Sequence, residues 1–233
     1  MTDVSVIVNL HREGRLAVAA LRSAAAAIAA APELSCEILA IVDRGDAATE
    51  RALRRFTGPL RAEACDFGDP ALARNFGVDR AKGHFVAFLD GDDLMGASWL
   101  RLAAEAVRAR QGRDVIAHPR LNYVFGRDAA PLVWEHPDME RDALDLSLLR
   151  AGNFWTSASF AATALHRRFP FRANALDAGL GHEDWAFNLA TVEAGVTHIA
   201  PEDTVHFIRR KDGAGRLAQS QALRLLPNFG GLS

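Results

Sequence analysis

The chain contains 233 residues, of which 49% are hydrophobic and 24% are charged, a composition typical of globular proteins and far from that of disordered ones. This length lies within the range of one large α/β unit, so a single domain over residues 1–233 is expected. The formal net charge of −2 excludes nucleic-acid capture through overall charge, and any phosphate recognition has to be local.

Cysteine content and hydropathy bear on the compartment. The two cysteines, Cys36 and Cys65, are too few for a disulfide framework or a thiolate zinc cage, which favours a reducing, cytoplasmic location. Arg22 interrupts the alanine-rich run at 16–31, and no apolar run approaches the roughly 18 residues that cross a bilayer. The sequence predicts no membrane span and leaves peripheral association with the inner face of a membrane open.

Strands and helices alternate in the first half of the chain. Residues 4–10 form an almost unbroken apolar run, typical of a strand covered on both faces, and a helical pattern follows over 13–31. The unit recurs as strand 37–42 with helix 47–56, strand 60–66 with helix 70–81, and strand 84–89 with helix 98–111. This repetition predicts an α/β fold with a doubly wound, mostly parallel, Rossmann-like sheet.

The second half of the chain is less regular. After residue 111 the pattern breaks into shorter runs, including DVIAHP, LNYVFG and VHFIRR, with one further helix over 183–193. We expect residues 112–212 to form an α+β half built onto a ligand-binding half at 1–111, and residues 213–233 to form a C-terminal tail.

Polar residues close the predicted strands, at the edge where open α/β sheets bind their ligands. The closing segments are NLH at 9–11, DRGD at 43–46 and DGDD at 90–93. Asp90 and Asp92 are two positions apart and project to one side if extended geometry persists. Such a pair suits Mg²⁺ or Mn²⁺, which takes one or two carboxylates beside substrate phosphates. The alternative is an acidic turn that caps the next helix.

The order of these motifs resembles glycosyltransferase family 2, the inverting, nucleotide-sugar-dependent enzymes of the GT-A fold. The matching segments are VSVIVNL at 4–10, EILAIVDRGD at 37–46, ALARNFGVDRAKGHFVAFLDGDD at 71–93 and GHEDWAFNLATVEAG at 181–195. Two departures stand out: Asn-Leu-His-Arg replaces the usual Pro-x-Tyr-Asn after the first strand, and Val42-Asp43 replaces an Asp-Asp pair. The Gln-x-x-Arg-Trp motif of processive synthases is absent, which disfavours a polymer-extruding enzyme.

The resemblance implies a donor site for a nucleoside-diphosphate sugar. Asp43 would grip the nucleobase, or else only begin a turn. His11, with Asn9 beside it, would stack on the base in place of the usual Tyr, or else pack at the end of the strand. Arg74 would lie near the nucleotide, with a salt bridge to Asp90 or Asp43 as the alternative, and Asp90 would face the ribose or base.

The resemblance also implies a metal and a clamp for the diphosphate. Asp92 would bind Mn²⁺ or Mg²⁺, and His206 on a late strand would be a further ligand, or else simply be packed. Arg209, with Arg210 and Lys211, would close on the diphosphate together with the tail, or else form a solvated edge.

On the acceptor side, the resemblance assigns the general base to Asp184, with Glu183 in support. The alternative is a pair of first-turn acids favoured by the helix dipole. Trp155 has the surroundings of a sugar-stacking platform, or else is a core tryptophan, and Trp185 would line the acceptor site.

The sequence therefore favours a non-processive, metal-dependent, inverting transfer to a hydroxyl of a glycan, a lipid-linked glycan or a similar acceptor. A sugar-1-phosphate nucleotidyltransferase and a catalytically silent carbohydrate-binding domain are the alternatives. The first would show a glycine-rich basic loop after the first strand, where HREGR has a single glycine.

Overall fold

The computed structural model describes residues 2–126, 131–210 and 225–228. The strands are β1 (Val4–Leu10), β2 (Cys36–Asp43), β3 (Arg61–Cys65), β4 (Phe85–Asp90), β5 (Leu94–Met95), β6 (Val115–Ala117), β7 (Leu121–Phe125), β8 (Leu132–Glu135), β9 (Phe160–Ala162), β10 (Leu180–Gly181), β11 (Thr197–Ile199), β12 (Val205–Arg209) and β13 (Leu226–Pro227). The helices are α1 (Leu16–Ala29), α2 (Ala47–Arg55), α3 (Pro70–Arg80), α4 (Trp99–Arg108), α5 (Thr163–Arg168) and α6 (Glu183–Glu193). Short 3₁₀ helices cover Leu146–Arg150 and Leu176–Ala178.

A seven-stranded sheet in the order β11-β6-β9-β4-β1-β2-β3 forms the centre of the molecule. All its strand pairs are parallel except those of β9, which runs antiparallel to β4 and β6. The predicted α/β class with a mostly parallel sheet is confirmed. A four-stranded sheet, β5-β12-β7-β8, flanks the carboxyl-terminal side of β4, because β5 follows β4 directly after the turn at 91–93.

Helices cover both faces of the central sheet because its strands bury alternate residues on opposite sides. Val4, Val6 and Val8 of β1 join the core under α1, α2 and α4. Ile7 joins the opposite core, which α3, α5 and α6 cover. These side chains are fully buried, and each such burial contributes roughly 2 kcal/mol of hydrophobic stabilisation.

Helix α3 lies close to the sheet at a glycine. A Cβ added to Gly77 would lie 2.8 Å from Cγ2 of Ile7, so any larger residue would push the helix away. This explains the glycine of the Ala-Arg-Asn-Phe-Gly segment, which brings Arg74 toward the strand ends. Asp69 caps the same helix by accepting hydrogen bonds from the N–H groups of Ala71 and Leu72.

The structure corrects several predicted boundaries. Helix α1 begins at Leu16 rather than at residue 13, because residues 13–15 form a turn, and it ends at Ala29. Helix α6 spans Glu183–Glu193, as predicted. Among residues 2–126, 131–210 and 225–228, no helix combines the length and apolar character that crossing a bilayer requires.

Buried histidines connect α6 to the sheet. The Nδ1–H of His118 donates to the Ala158 carbonyl oxygen at 3.2 Å, so its Nε2 is an acceptor, 2.9 Å from Nδ1 of His198. Nε2 of His198 in turn lies 2.9 Å from the Thr191 hydroxyl on α6. Both rings are neutral because burial lowers the pKa of each, that of His198 to about 3.

Two further histidines, His136 and His166, are buried in the interior, and burial lowers the pKa of each to about 3. The His166 ring stacks on Phe187 and Phe171, and its two nitrogens have no hydrogen-bond partner. Protonation of this ring is therefore possible only in the unfolded chain at moderately acidic pH.

Acid is therefore expected to destabilise the protein. His166 binds no proton in the folded state until far below its ordinary pKa near 6.5, so the free energy of unfolding falls as the pH drops below 6.5. At pH 5, His166 alone accounts for a loss of about 2 kcal/mol. Urea unfolding at pH 7.5 and pH 5 should show a smaller loss for His166→Leu than for wild type. The exposed His84, replaced by Gln, is the control, and an unchanged loss in His166→Leu would contradict the prediction.

Candidate active site

Arg74 stands at the centre of the site. Its side chain is only 3% exposed, and it donates to Oδ1 of Asp90 at 2.8 Å and to Oε1 of Glu183 at 2.7 Å. Burial alone would lower the pKa of Arg74, but the charges of the two carboxylates outweigh burial and raise it. The guanidinium therefore ties the end of β4 to the start of α6.

Asp90 is held from two sides. Besides Arg74, the Ser157 hydroxyl donates to Oδ2 of Asp90 at 3.2 Å. Burial would raise the pKa of this carboxyl, yet Arg74 lowers it below the ordinary value, so Asp90 is ionised at neutral pH. Of the two salt-bridge partners considered for Arg74, the structure selects Asp90.

The expectation that Asp90 and Asp92 project together from an extended strand is wrong. Strand β4 ends at Asp90, and the N–H of Asp93 donates to the Asp90 carbonyl oxygen at 3.1 Å, which closes a turn. The turn depends on Gly91, since a Cβ there would lie 2.7 Å from the carbonyl oxygen of Asn9. Asp90 thus faces Arg74 while Asp92 follows in the turn.

Strand β12 is hydrogen-bonded to this turn through Arg209. The backbone N–H of Arg209 donates to Oδ1 of Asp93 at 2.7 Å, and Nε of Arg209 donates to the Asp92 carbonyl oxygen at 3.0 Å. The guanidinium also lies 4.5 Å from the ring centroid of Phe125. The structure thereby places Arg209 beside the acidic turn. Lys211 and residues 213–224 and 229–233 of the tail lie outside the described residues.

His206 lies beneath the same turn. It is 5% exposed, and its Nε2 is 3.3 Å from Oδ2 of Asp93 without hydrogen-bond geometry. Among the described residues no group of three or more His, Cys, Asp or Glu side chains is arranged as a metal site. A Mg²⁺ or Mn²⁺ ion that takes most of its ligands from phosphates and water needs fewer protein ligands. Asp92 supplies a carboxylate and His206 an imidazole whose nitrogens make no hydrogen bond, and both are ligand types that such an ion accepts.

Asp43 organises the loop after β3. Its Oδ1 accepts from the N–H groups of Phe67 and Gly68 at 2.7 and 2.9 Å, and its Oδ2 accepts from that of Asp69 at 3.1 Å. Nδ1 of His11 lies 2.5 Å from the Asp43 carbonyl oxygen, which brings the two predicted base-binding residues together. Asp43 is 6% exposed, and the Cys65 thiol also hydrogen-bonds to its side chain.

Asn9 lies between these groups. It pairs in register with Asp90 on β4 and with Ile41 on β2. Its amide nitrogen and oxygen are shielded from solvent and have no hydrogen-bond partner. The residue therefore forms part of the floor of the site.

The two acids at the start of α6 differ in their environments. Glu183 is bound by Arg74, and Asn174 approaches its other oxygen at 3.3 Å. Burial raises the pKa of the half-buried Asp184 to about 7, and the neighbouring Glu183 charge adds to the effect. Asp184 thus has the titration behaviour of a general base that works near neutral pH.

The two predicted acceptor-site tryptophans lie in different environments. The expectation that Trp155 offers a sugar-stacking face is wrong, because the ring is 1% exposed and stacks on His198 at 4.3 Å inside the core. Trp185 is half-buried, and its Nε1 donates to the Leu149 carbonyl oxygen at 2.6 Å. It lies beside His182, near the two acids.

Sequence reasoning missed several side chains that complete the site. Asn153, Ser157 and Asn174 donate to the predicted carboxylates, and Asp93 accepts from the backbone N–H of Arg209. Asp93 belongs to the DGDD segment and could have been included. The other three belong to no motif, and the partners of Ser157 and Asn153 lie 67 and 31 positions away in the sequence.

Comparison with known proteins agrees with this architecture. The family model for glycosyl transferase family 2 matches residues 5–169, and no curated protein matches the chain. The structure of S. aureus TarS 1-349 in complex with UDP-GlcNAc aligns with a TM-score of 0.64 at 18% identity, covering 91% of this chain and 60% of that one. GalNAc-T7 with UDP, GalNAc and Mn²⁺ aligns with a TM-score of 0.66 at 14% identity, covering 91% of this chain and 44% of that one. The chain thus spans less than two thirds of either structure, and the likeness is one of fold.

Removal of Arg74 is expected to be destabilising. Arg74→Ala leaves the mostly buried Glu183 and the partly exposed Asp90 as neighbouring negative charges without a cation, and breaking a buried pair such as Arg74–Glu183 typically costs about 3 kcal/mol. Urea unfolding at pH 7 should show this loss. Arg101→Ala, which breaks the exposed Arg101–Glu105 pair, should cost less than about 1 kcal/mol. Equal effects of the two substitutions would contradict the role of Arg74.

Proposed function

Because the chain belongs to glycosyltransferase family 2, we propose that this glycosyltransferase uses a divalent cation and inverts the anomeric centre of its donor. It moves one sugar from a nucleoside-diphosphate sugar to a hydroxyl of a glycan, a lipid-linked glycan or a similar acceptor. Membership of this family removes the nucleotidyltransferase alternative. If the acceptor is a lipid-linked glycan, we expect the enzyme to associate peripherally with the membrane that holds it.

One observation carries the proposal: Arg74 connects the acidic turn with the acids of α6. A transfer of this type needs a metal–diphosphate site and a base on opposite sides of the anomeric carbon. The Arg74–Glu183 contact bridges residues 109 positions apart, and it brings Asp184 to the edge of the sheet that ends in Asp90 and Asp92. The two halves of such a reaction centre thus adjoin each other.

On the donor side, Asp43 and His11 bind the nucleobase. A carboxylate at this position can accept from the imide N–H of uracil or thymine when the nucleotide binds, which favours uridine or thymidine diphosphates over adenosine diphosphate. The two neighbouring structures described above hold UDP, which is consistent with this choice. Asn9 supports this pocket from below, and Asp90 faces the ribose.

Asp92 and His206 would hold Mn²⁺ or Mg²⁺, with donor phosphates and water completing its ligands. The ion, when bound, stabilises the negative charge that grows on the departing nucleoside diphosphate. Arg209 lies against the same turn and adds a positive charge for the diphosphate.

Asp184 takes the proton from the acceptor hydroxyl as that oxygen attacks the anomeric carbon. Its raised pKa gives a base strong enough for the task yet still ionised in a large fraction at neutral pH. Glu183 supports it by fixing the start of α6 through Arg74. Trp185, half-buried beside these acids, lines the acceptor site.

The metal site is tested through Asp92. Calorimetric titration of UDP with Mn²⁺ should give an affinity at least tenfold weaker for Asp92→Ala than for wild type, about 1.4 kcal/mol. Asp79→Ala, which removes an exposed carboxylate from α3, should bind as wild type does. Metal-dependent affinity that is unchanged in Asp92→Ala would place the cation elsewhere.

The base is tested through Asp184→Asn, which keeps the shape of the side chain but cannot take a proton. Turnover should fall by about 10² to 10⁴-fold, while UDP affinity and melting temperature stay near wild type. Glu193→Gln removes an acid at the other end of α6 and should leave turnover intact. Near-wild-type turnover in Asp184→Asn would move the role to another residue, with Glu183 the first to test.

The pH dependence follows from the same carboxylate. The base acts in its ionised form, so turnover should fall as the pH drops through about 7, well above the range of an ordinary aspartate. Initial rates from pH 5 to pH 9, at saturating donor, measure this acidic limb. A limb near pH 4 would show that Asp184 is not the group that controls the rate.

A further inference from the structure

Asn153 connects the proposed base to the core. It lies in the segment between the 3₁₀ helix Leu146–Arg150 and β9, and its Nδ2 is 3.2 Å from Oδ2 of Asp184. Its Oδ1 is 2.9 Å from Nδ2 of Asn188. No motif includes Asn153, and the mechanism above does not use it.

The chemistry of the neighbours fixes which end of the Asn153 amide faces Asp184. The carbonyl oxygen of Trp155 can only accept, so the Asn188 atom that lies 2.7 Å away is its NH₂ nitrogen. The same NH₂ group of Asn188 donates to Oδ1 of Asn153, and the backbone N–H of Trp155 approaches the same Oδ1 at 3.4 Å. Two donors therefore converge on the amide oxygen of Asn153, which leaves its NH₂ group for Asp184.

The groups that impose this orientation are rigid. Asn188 is 1% exposed and lies on α6 four positions after Asp184, on the same side of the helix. Trp155 is also 1% exposed, and its Nε1 donates to the Pro137 carbonyl oxygen at 2.8 Å. Asn153 itself is exposed, so its amide lies between a fixed interior and the open site.

Both carboxylate oxygens of Asp184 are consequently oriented by a single N–H donor each. Oδ1 accepts from the N–H of Trp185 at 2.8 Å, and Oδ2 accepts from Asn153. Each oxygen keeps a second acceptor position for an incoming hydroxyl. A neutral amide sets the direction of the carboxylate without adding the charge of a Lys or Arg, which would weaken the base.

We propose that Asn153 is a positioning residue for the base, which holds the Asp184 carboxylate in the orientation that receives the acceptor proton. This inference rests on the proposed function. The charged groups that face Asp184 are Glu183 on its own helix, Arg74 on α3 and Asp90 at the end of β4.

The decisive substitution is Asn153→Asp. The two side chains have the same shape, and the carboxylate still accepts from Asn188 and from the Trp155 N–H, so the contacts with the core persist. Only the donor to Asp184 is lost, and a negative charge takes its place. Turnover is measured as UDP release from a panel of UDP-glucose, UDP-galactose and UDP-N-acetylglucosamine. In Asn153→Asp it should fall at least tenfold at pH 7. The acidic limb should move upward by about one pH unit or more.

Three measurements separate the possible outcomes. UDP affinity and melting temperature should stay near wild type, as they should in Ser147→Ala, an exposed control in the preceding 3₁₀ helix. The ¹³C carboxyl shift of Asp184, followed against pH, should report a higher pKa in Asn153→Asp. Wild-type turnover in Asn153→Asp, in an enzyme that Asp184→Asn inactivates, overturns the positioning role alone. An active Asp184→Asn variant overturns the proposed base itself, and the inference with it.

Discussion

A buried guanidinium that needs two carboxylates is the constraint on which this site depends. Taking Arg74 out of water is unfavourable unless its charge is matched, and Asp90 and Glu183 supply that match from opposite halves of the chain. The close approach of α3 at Gly77 places the guanidinium where both carboxylates can reach it. The position of the α6 acids relative to the acidic turn is therefore set by charge compensation, in addition to the apolar packing of the two cores.

The acidic residues of the site differ in their environments because each has different neighbours. Arg74 and Ser157 keep Asp90 ionised, and backbone amides surround Asp43. Burial raises the pKa of Asp184, the neighbouring Glu183 charge adds to this effect, and each carboxylate oxygen has only one neutral donor to oppose it. These different environments are consistent with the roles proposed above, donor recognition for Asp43 and Asp90 and proton transfer for Asp184.

The sequence predicted what is local and repetitive. The strand-then-helix units and the mostly parallel sheet follow from hydrophobic periodicity, and the bounds of α6 were also predicted correctly. Contacts made across the chain could not be predicted in this way: Ser157 with Asp90 and Asn153 with Asp184 join residues 67 and 31 positions apart. Trp155 shows the same limit, since burial against His198 depends on a tertiary neighbour. The turn at Gly91 ended the strand at Asp90, two residues before the end that the Asp90–Asp92 argument required.

The sequence separation of the Arg74–Glu183 contact has a consequence for biosynthesis. The two residues are 109 positions apart, so the ribosome completes β1 to β4 and α3 long before it adds Glu183. Until then Arg74 has only Asp90 as a partner, and the first half of the sheet lacks β6, β9 and β11 on one side. Pairing over such a separation is intrinsically slow because the chain must close a long loop first. The nascent chain therefore passes through a stage with an open sheet edge and a half-compensated cation, and a truncated product would remain there.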